Sequence, residues 1–437
     1  MHPFLSYRAR GFSMVELMVA MLIGLIGMVI IFQVFEVSEG IKRTTTSGGD
    51  AQQNGAIALY LLEHDLRNGG MGFNDAGFAG CKILASDTTR ATPNFNLMLA
   101  PTLICAPGST NPGGYCPGTG APGTSPDQLT VFYGSNPWVS DAHLLGLNFT
   151  SGNTQMNLNN IYGYKPGDVM VLMQPPAGTS NCSLMEATAV GALVGGPGGL
   201  TVNVASAGAA YPLVSGTQVI ARMNPIGGLG VDYSAATSAN VARVYNLGNL
   251  YDPANGSAMP VHNTYAIDTA SRALTVSSAF IIDKTTKNPQ VNAVADNIVQ
   301  MRAQYGLDDG VTDGSVPFNL GAGVAGDGLI DRFVPANTFN GMVPPPWQRL
   351  IAVRVAIVAR SALAEKPHGS NGTDCDATTD GTEGPSVPDL RPAWSGGFID
   401  VSTTGDPTPT SPLFWKCYRY RVFETTVPLR NWIWKAS

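Results

Sequence analysis

The sequence predicts an α+β protein: one long N-terminal hydrophobic helix, a stem, packed on an antiparallel β-sheet globular domain with long loops. Three observations carry this expectation. Residues 17–35 form an uncharged apolar run in which Gln33 is the only strongly polar side chain. Short apolar or alternating runs bounded by turn formers recur through the rest of the chain. Charged residues make up only 13% of the 437 positions, while Gly (51) and Pro (31) are abundant. That composition suits strands joined by turns and uncharged loops better than a helical bundle.

The stem comes first. Its apolar run is close to the ~20 residues an α-helix needs to cross a bilayer. Arg8 and Arg10 precede it, with no acidic residue before Glu16, so the positive-inside rule places the N-terminus in the cytoplasm and the bulk of the chain outside. A cleaved secretory signal fits poorly, because its apolar region is shorter, about 7–15 residues, and ends in a small-residue site. Here the run leads into Glu36-Val37-Ser38-Glu39-Gly40. A plain anchor explains the length but not Glu16. A carboxylate inside a membrane helix costs about 2.5–3.5 kcal/mol and calls for a specific partner.

Helical character continues past the membrane, with a break expected at Gly48-Gly49. Leu59, Leu62 and Leu66 then follow i, i+3, i+7 spacing and make one apolar face; Gly69-Gly70 is the stop signal. His64 on this stretch reads as an ordinary exposed or packed helix residue.

Beyond the stem the signals are strand-like. Residues 129–133, 169–173 and 218–221 are short apolar runs between turn formers. Val299, Met301, Ala303 and Tyr305 alternate with Gln300, Arg302 and Gln304, as in a half-buried strand. The β-branched run 351–358 suits a central strand, and Tyr418, Tyr420 and Val422 alternate with Arg419 and Arg421 near the C-terminus.

All six cysteines, Cys81, Cys105, Cys116, Cys182, Cys375 and Cys417, lie after the apolar run, and none forms C-x-x-C. An even number outside the membrane fits disulfides made in an oxidising compartment; buried free thiols are the bland alternative. The Gly/Pro/Ser/Thr-rich loop 106–126 has Cys105 at its edge and Cys116 inside, so a bridge between them would pin it. The polar segment 366–392 contains Cys375, which could be tied to Cys417 on the following strand.

Chemistry-bearing patterns are few. Asp308, Asp309 and Asp313 share one Gly-containing turn, and Asp327 and Asp331 share another. Closely spaced aspartates on flexible loops are the usual supply of oxygens for calcium. EF-hand spacing is not met, and Asp is also a common turn former. A structural calcium is the only cofactor these residues suggest. Gly321-Ala322-Gly323-Val324-Ala325-Gly326 fits G-x-G-x-x-G, but Asp327-Gly328-Leu329-Ile330-Asp331 follows as a turn rather than a helix, so a loop is the better reading. The five histidines are scattered, and there is no H-E-x-x-H, G-x-S-x-G or G-x-x-x-x-G-K-[ST] pattern, so no enzyme is expected. Trp415, Trp432 and Trp434 interleave with Lys416 and Lys435. Such aromatics could stack on single-stranded DNA, but are more simply core or interface. With 25 basic and 31 acidic residues, a net −6, the chain lacks a broad basic footprint for nucleic acid.

One segment supplies the partner that Glu16 needs. Arg8-Ala9-Arg10-Gly11-Phe12-Ser13-Met14-Val15-Glu16-Leu17 closely resembles the prepilin peptidase site of type IV pilins and type II secretion pseudopilins. The resemblance implies cleavage between Gly11 and Phe12, N-methylation of Phe12, and a Glu16 that neutralises the N-terminal amine of a neighbouring subunit; intrachain pairing is the alternative. It divides the chain into a leader at 1–11, a stem at 12–66 that spans the membrane to about residue 37, and a β-rich globular domain at 67–437.

The C-terminal run Thr425-Thr426-Val427-Pro428-Leu429-Arg430-Asn431 is similar to the terminal strand of PilW-type minor pilins. Residues 351–361, the stem end Leu61-Leu62-Glu63-His64-Asp65-Leu66-Arg67, and Tyr305-Gly306-Leu307-Asp308 before the aspartate tract add to the likeness. J-type pseudopilins of type II secretion end similarly. The PilW resemblance implies a minor pilin of the bacterial inner membrane, single-pass, with a periplasmic domain, later found at the pilus base or tip. Its implied role is initiating or priming pilus assembly, and its implied partners are prepilin peptidase, the other minor pilins and the major pilin, met through the stem. A secretion pseudopilin is one alternative. A tip adhesin or DNA-uptake module is another, because the centre, roughly 75–290, matches no motif.

Overall fold

The computed structural model describes residues 11, 13–73, 78–108, 115–116, 120–136, 141–174, 182–192, 200–235, 241–251, 259–308, 328–342, 345–367, 374–409, 411 and 413–433. Its first element is an α-helix from Met14 to Asn68, 55 residues long. Ser13 caps it: its hydroxyl oxygen accepts from the Glu16 N–H at 3.1 Å, and the acidic Glu16 sits in the first turn where the helix dipole favours it.

The expected break at Gly48-Gly49 does not occur, and the helix runs through both glycines. A glycine in a helix costs about 1 kcal/mol but does not by itself end it. The flanking Ser47 and Ala51 are buried, so contacts on both sides hold this turn. The helix carries on two residues past Leu66. Gly70, at φ +83°, then reverses the chain, and its N–H donates to the Phe132 carbonyl at 3.0 Å.

Among the described residues, the strands form three main sheets. The four-stranded sheet is antiparallel, in the order Arg332–Pro335, Ile298–Leu307, Leu350–Arg360, Tyr420–Pro428. Its long central strand, Leu350–Arg360, is buried along nearly its whole length, as its β-branched run suggested. The five-stranded sheet, also antiparallel, runs Pro289–Asp296, Ala273–Ile282, Val261–Asp268, Gln128–Tyr133, Thr102–Cys105. The six-stranded sheet runs Asn94–Met98, Lys82–Ser86, Cys182–Glu186, Asp168–Met173, Arg243–Asn249, His143–Leu144. One of its pairs, Lys82–Ser86 beside Cys182–Glu186, is parallel. The fold is thus the pilin-like α+β arrangement, with that single pair outside the antiparallel scheme.

Burial explains why the strand signals were uneven. Ile298–Leu307 was expected to be half-buried, yet Gln300 is only 1% exposed. A bulge between Ile298 and Gln300 turns Val299 to the opposite face from Met301, Ala303 and Tyr305. On that opposite face Val299, Ala356 and Val358 pack under Ile399, Val401 and Trp415 of the C-terminal loop. Covering backbone accepts from the polar side chains there: Gln300 donates to the Asp400 carbonyl at 3.1 Å, and Arg302 to the Ser125 carbonyl at 2.7 Å. Asp168–Met173 is likewise covered on both sides. Val169, Val171 and Met173 join the main core, and Met170 and Leu172 join a second core with Leu145, Phe149, Met156 and Leu158. A strand buried on both faces reads as a continuous apolar run rather than an alternating one.

Candidate functional site

The stem is the candidate site, and it has two halves. In the outer half, 14–35, each large apolar side chain stands about half exposed or more, from Val29 at 49% to Met14 at 86%. A helix apolar all round with nothing over it belongs in a membrane or against other helices. It is long and apolar enough to cross a bilayer. Gly11, where the leader would end, is exposed with nothing within 4 Å of the place a Cβ would occupy. Phe12 lies outside the described residues. Glu16 is exposed on the first turn, its backbone N–H tied to Ser13.

The inner half is seated on the domain. Ser47, Ala51, Gly55, Ala58, Leu62, Asp65 and Leu66 are the buried positions, spaced by three and four, so one stripe of the helix faces the protein. Ala51, Ala58, Leu62 and Leu66 belong to the main core with Val353, Val355, Ile357 and Val427 of the four-stranded sheet. At Gly55 the approach is closest: a Cβ there would lie 2.2 Å from the Phe423 ring. The C-terminus closes the seat. Asn431 donates to the Arg67 carbonyl at 3.2 Å, and Trp432, 2% exposed, donates its indole N–H to the Trp347 carbonyl at 3.2 Å.

The seat is locked by a buried carboxylate. Asp65, 7% exposed, accepts from the hydroxyls of Tyr133 at 3.0 Å and Tyr265 at 2.7 Å, and from the Asn263 amide at 2.8 Å. These partners come from adjacent strands of the five-stranded sheet, Gln128–Tyr133 and Val261–Asp268. Tyr133, Asn263 and Tyr265 share the sheet face that meets the stem. Burial first, and then the neighbouring Asp65 charge, push both tyrosine hydroxyls well above their usual range, so they remain donors to Asp65 at physiological pH. Asp65 carried no functional reading in the sequence. The available signal was an acidic residue at i+3 from Leu62, on the apolar stripe.

The remaining candidate residues sit elsewhere. Asp308 is buried, and its carboxylate accepts from the Gly328 N–H at 2.8 Å. The Asp331 N–H donates to the Leu307 carbonyl at 3.0 Å. The two residues thus fasten the ends of the aspartate tract, whereas Asp309, Asp313 and Asp327, like the 321–326 glycine motif, lie outside the described residues. Among the described residues, no group of three His, Cys, Asp or Glu is placed to hold a metal ion. The cysteines form three disulfides. Cys105–Cys116 pins the Gly/Pro-rich loop, Cys375–Cys417 ties the polar segment to the chain before the last strand, and Cys81–Cys182 joins the chain after the stem to the central region. Trp415 and Trp432 are 7% and 2% exposed, so they are core and not a stacking surface; Trp434 and Lys435 lie outside the described residues.

Two family models match the chain. Residues 6–32 match the prokaryotic N-terminal methylation motif, and residues 264–431 match type IV pilus-assembly protein W. The first covers the Gly11–Phe12 bond, Glu16 and most of the exposed apolar helix; the second begins within the five-stranded sheet and includes the whole four-stranded sheet on which the stem is seated. No curated protein and no solved structure matches. A prepilin-class N-terminus ahead of a PilW domain is the make-up of a type IV minor pilin of the PilW type, which this chain resembles at both ends.

Proposed function

We propose that this minor pilin initiates or primes type IV pilus assembly after prepilin peptidase cleaves it between Gly11 and Phe12. The observation that carries the reading is the outer stem: an apolar helix exposed all round in the monomer, beginning at a methylation motif and continuous with an inner half seated on the PilW domain. Cleavage would create a cation at Phe12, one helical turn from Glu16. In a filament the two charges of neighbouring subunits neutralise each other, which offsets the cost of holding either one among apolar stems. The N-terminus then lies on the cytoplasmic side and the domain in the periplasm. The partners are the other minor pilins, the major pilin and the peptidase.

A second reading has its own support. Residues 141–250 include a separate core and lie outside the PilW match, as an inserted binding module would. In-frame deletion in the native host separates the readings. The priming role predicts loss of surface pili, restored by the wild-type chain. Normal pili with lost attachment or DNA uptake would replace it with the binding module, and normal pili with lost protein secretion would replace it with a pseudopilin.

The reading needs no catalytic residue and no cofactor. A structural calcium held by Asp308, Asp309, Asp313, Asp327 and Asp331 is a separate proposal. Isothermal titration of calcium into the full chain tests it: binding that Asp309→Ala weakens supports it, and a flat titration ends it.

A further inference from the structure

The loop after the strand Leu350–Arg360 reaches back to the stem. Lys366 Nζ lies 2.5 Å from the Glu36 carboxylate, and Glu36 is the first residue after the apolar run 17–35. At 1.5 Å per residue that run is about 28 Å long, which matches a hydrocarbon core of about 30 Å. Glu36 therefore falls where hydrocarbon gives way to headgroups, and a side chain in contact with it lies in the headgroup layer.

The loop that carries Lys366 is fixed. The Ser361 N–H donates to the Arg419 carbonyl at 2.8 Å, and the Glu365 N–H to the Cys417 carbonyl at 2.7 Å. Ser361 Oγ donates to the Leu363 carbonyl at 2.9 Å, and Arg419 pairs with Glu365. Between these fastenings Leu363 points outward, 44% exposed. A rigid loop with one outward leucine and one long cation is the pairing that seats a surface at a bilayer interface: the leucine enters the acyl boundary, and the lysine stem lies along it with its ammonium among phosphates.

We propose that residues 361–367 rest on the headgroups of the bilayer that anchors the stem, with Leu363 in the interface and Lys366 bridging Glu36 and anionic lipid. The PilW domain then sits down on the membrane before assembly instead of standing off on a bare helix. The inference rests on the membrane anchoring of the stem and not on the priming role.

The test uses the full chain reconstituted in nanodiscs containing anionic lipid. All six cysteines are in disulfides, so a single introduced cysteine takes an environment-sensitive fluorophore selectively. Leu25→Cys, near the middle of the apolar run, is read against lipids spin-labelled deep in the acyl chain and reports whether the stem is inserted. Tyr60→Cys, 66% exposed and 24 residues beyond Glu36 on the same helix, marks a site about 36 Å clear of the interface. The proposal expects quenching of Leu363→Cys by lipids spin-labelled near the headgroup, no quenching of Tyr60→Cys, and a loss of the Leu363→Cys quenching when Lys366→Glu is added. A quenched Leu25→Cys with an unquenched Leu363→Cys would overturn the proposal and leave the anchored stem standing. Quenching that survives Lys366→Glu would overturn the part given to Lys366. An unquenched Leu25→Cys would remove the membrane anchoring itself, and the proposal with it.

Discussion

Replacing Asp65 with leucine is expected to destabilise the globular domain by about 3–5 kcal/mol, the cost of leaving buried hydrogen-bonding groups without their charged partner. The leucine would fit a stripe already made of Ala58, Leu62 and Leu66, so the loss is not one of shape. It comes from Tyr133, Tyr265 and Asn263, whose donors all converge on one carboxylate. Removing a single donor leaves the carboxylate two others, so Tyr133→Phe and Tyr265→Phe should each cost less, about 1–3 kcal/mol for a hydrogen bond to a charged group. Denaturant unfolding in detergent measures all three. Hydrogen exchange should show the Asp65→Leu loosening first at the inner stem, because the lost bonds are those between stem and five-stranded sheet. Were Asp65→Leu to change stability by less than a single tyrosine variant does, the lock between stem and sheet would not exist.

Replacing Glu16 with valine should separate insertion from assembly. The substitution removes a cost of about 2.5–3.5 kcal/mol for a carboxylate in the membrane, so the chain should insert and be processed at least as well as the wild type. In the filament, however, the Phe12 amine of a neighbouring subunit would lose its counter-charge. An unpaired cation among apolar stems costs a similar 2.5–3.5 kcal/mol, and at 1.4 kcal/mol per factor of ten this lowers incorporation about 100-fold. Quantifying the chain in sheared pili against the membrane fraction checks this. Equal incorporation of wild type and Glu16→Val would mean that Glu16 does not pair between subunits.

How far the sequence could be read depended on how many faces each segment buries. The outer stem is apolar and exposed on every side, so its run of uncharged residues is unambiguous. The inner stem buries one stripe, and Leu62 and Leu66 fall on it. Leu350–Arg360 and Asp168–Met173 are buried on both faces and read as continuous apolar runs. Ile298–Leu307 shows the limit: its alternation is real, but the loop that covers its polar face arrives from around residue 400, a hundred positions away. No local pattern reports such a cover. The same holds for Cys81–Cys182, which depends on a parallel strand pair between distant segments. Asp65 escaped notice because a single acidic residue near the end of a helix is ordinary, and its three partners lie at least 68 residues away. The N-terminal segment, by contrast, is legible as a linear pattern: residues 6–32 match the N-terminal methylation motif with no help from folded context.

Processing between Gly11 and Phe12 is checked by the intact mass and N-terminal fragmentation of the chain purified from the membranes of its own host. The mature protein is expected to begin at Phe12, carry one methyl group on its amine, and retain three disulfides; Gly11→Val should keep the leader and the unmodified N-terminus. A wild-type chain that still begins at Met1, or one cut after the apolar run, would contradict it.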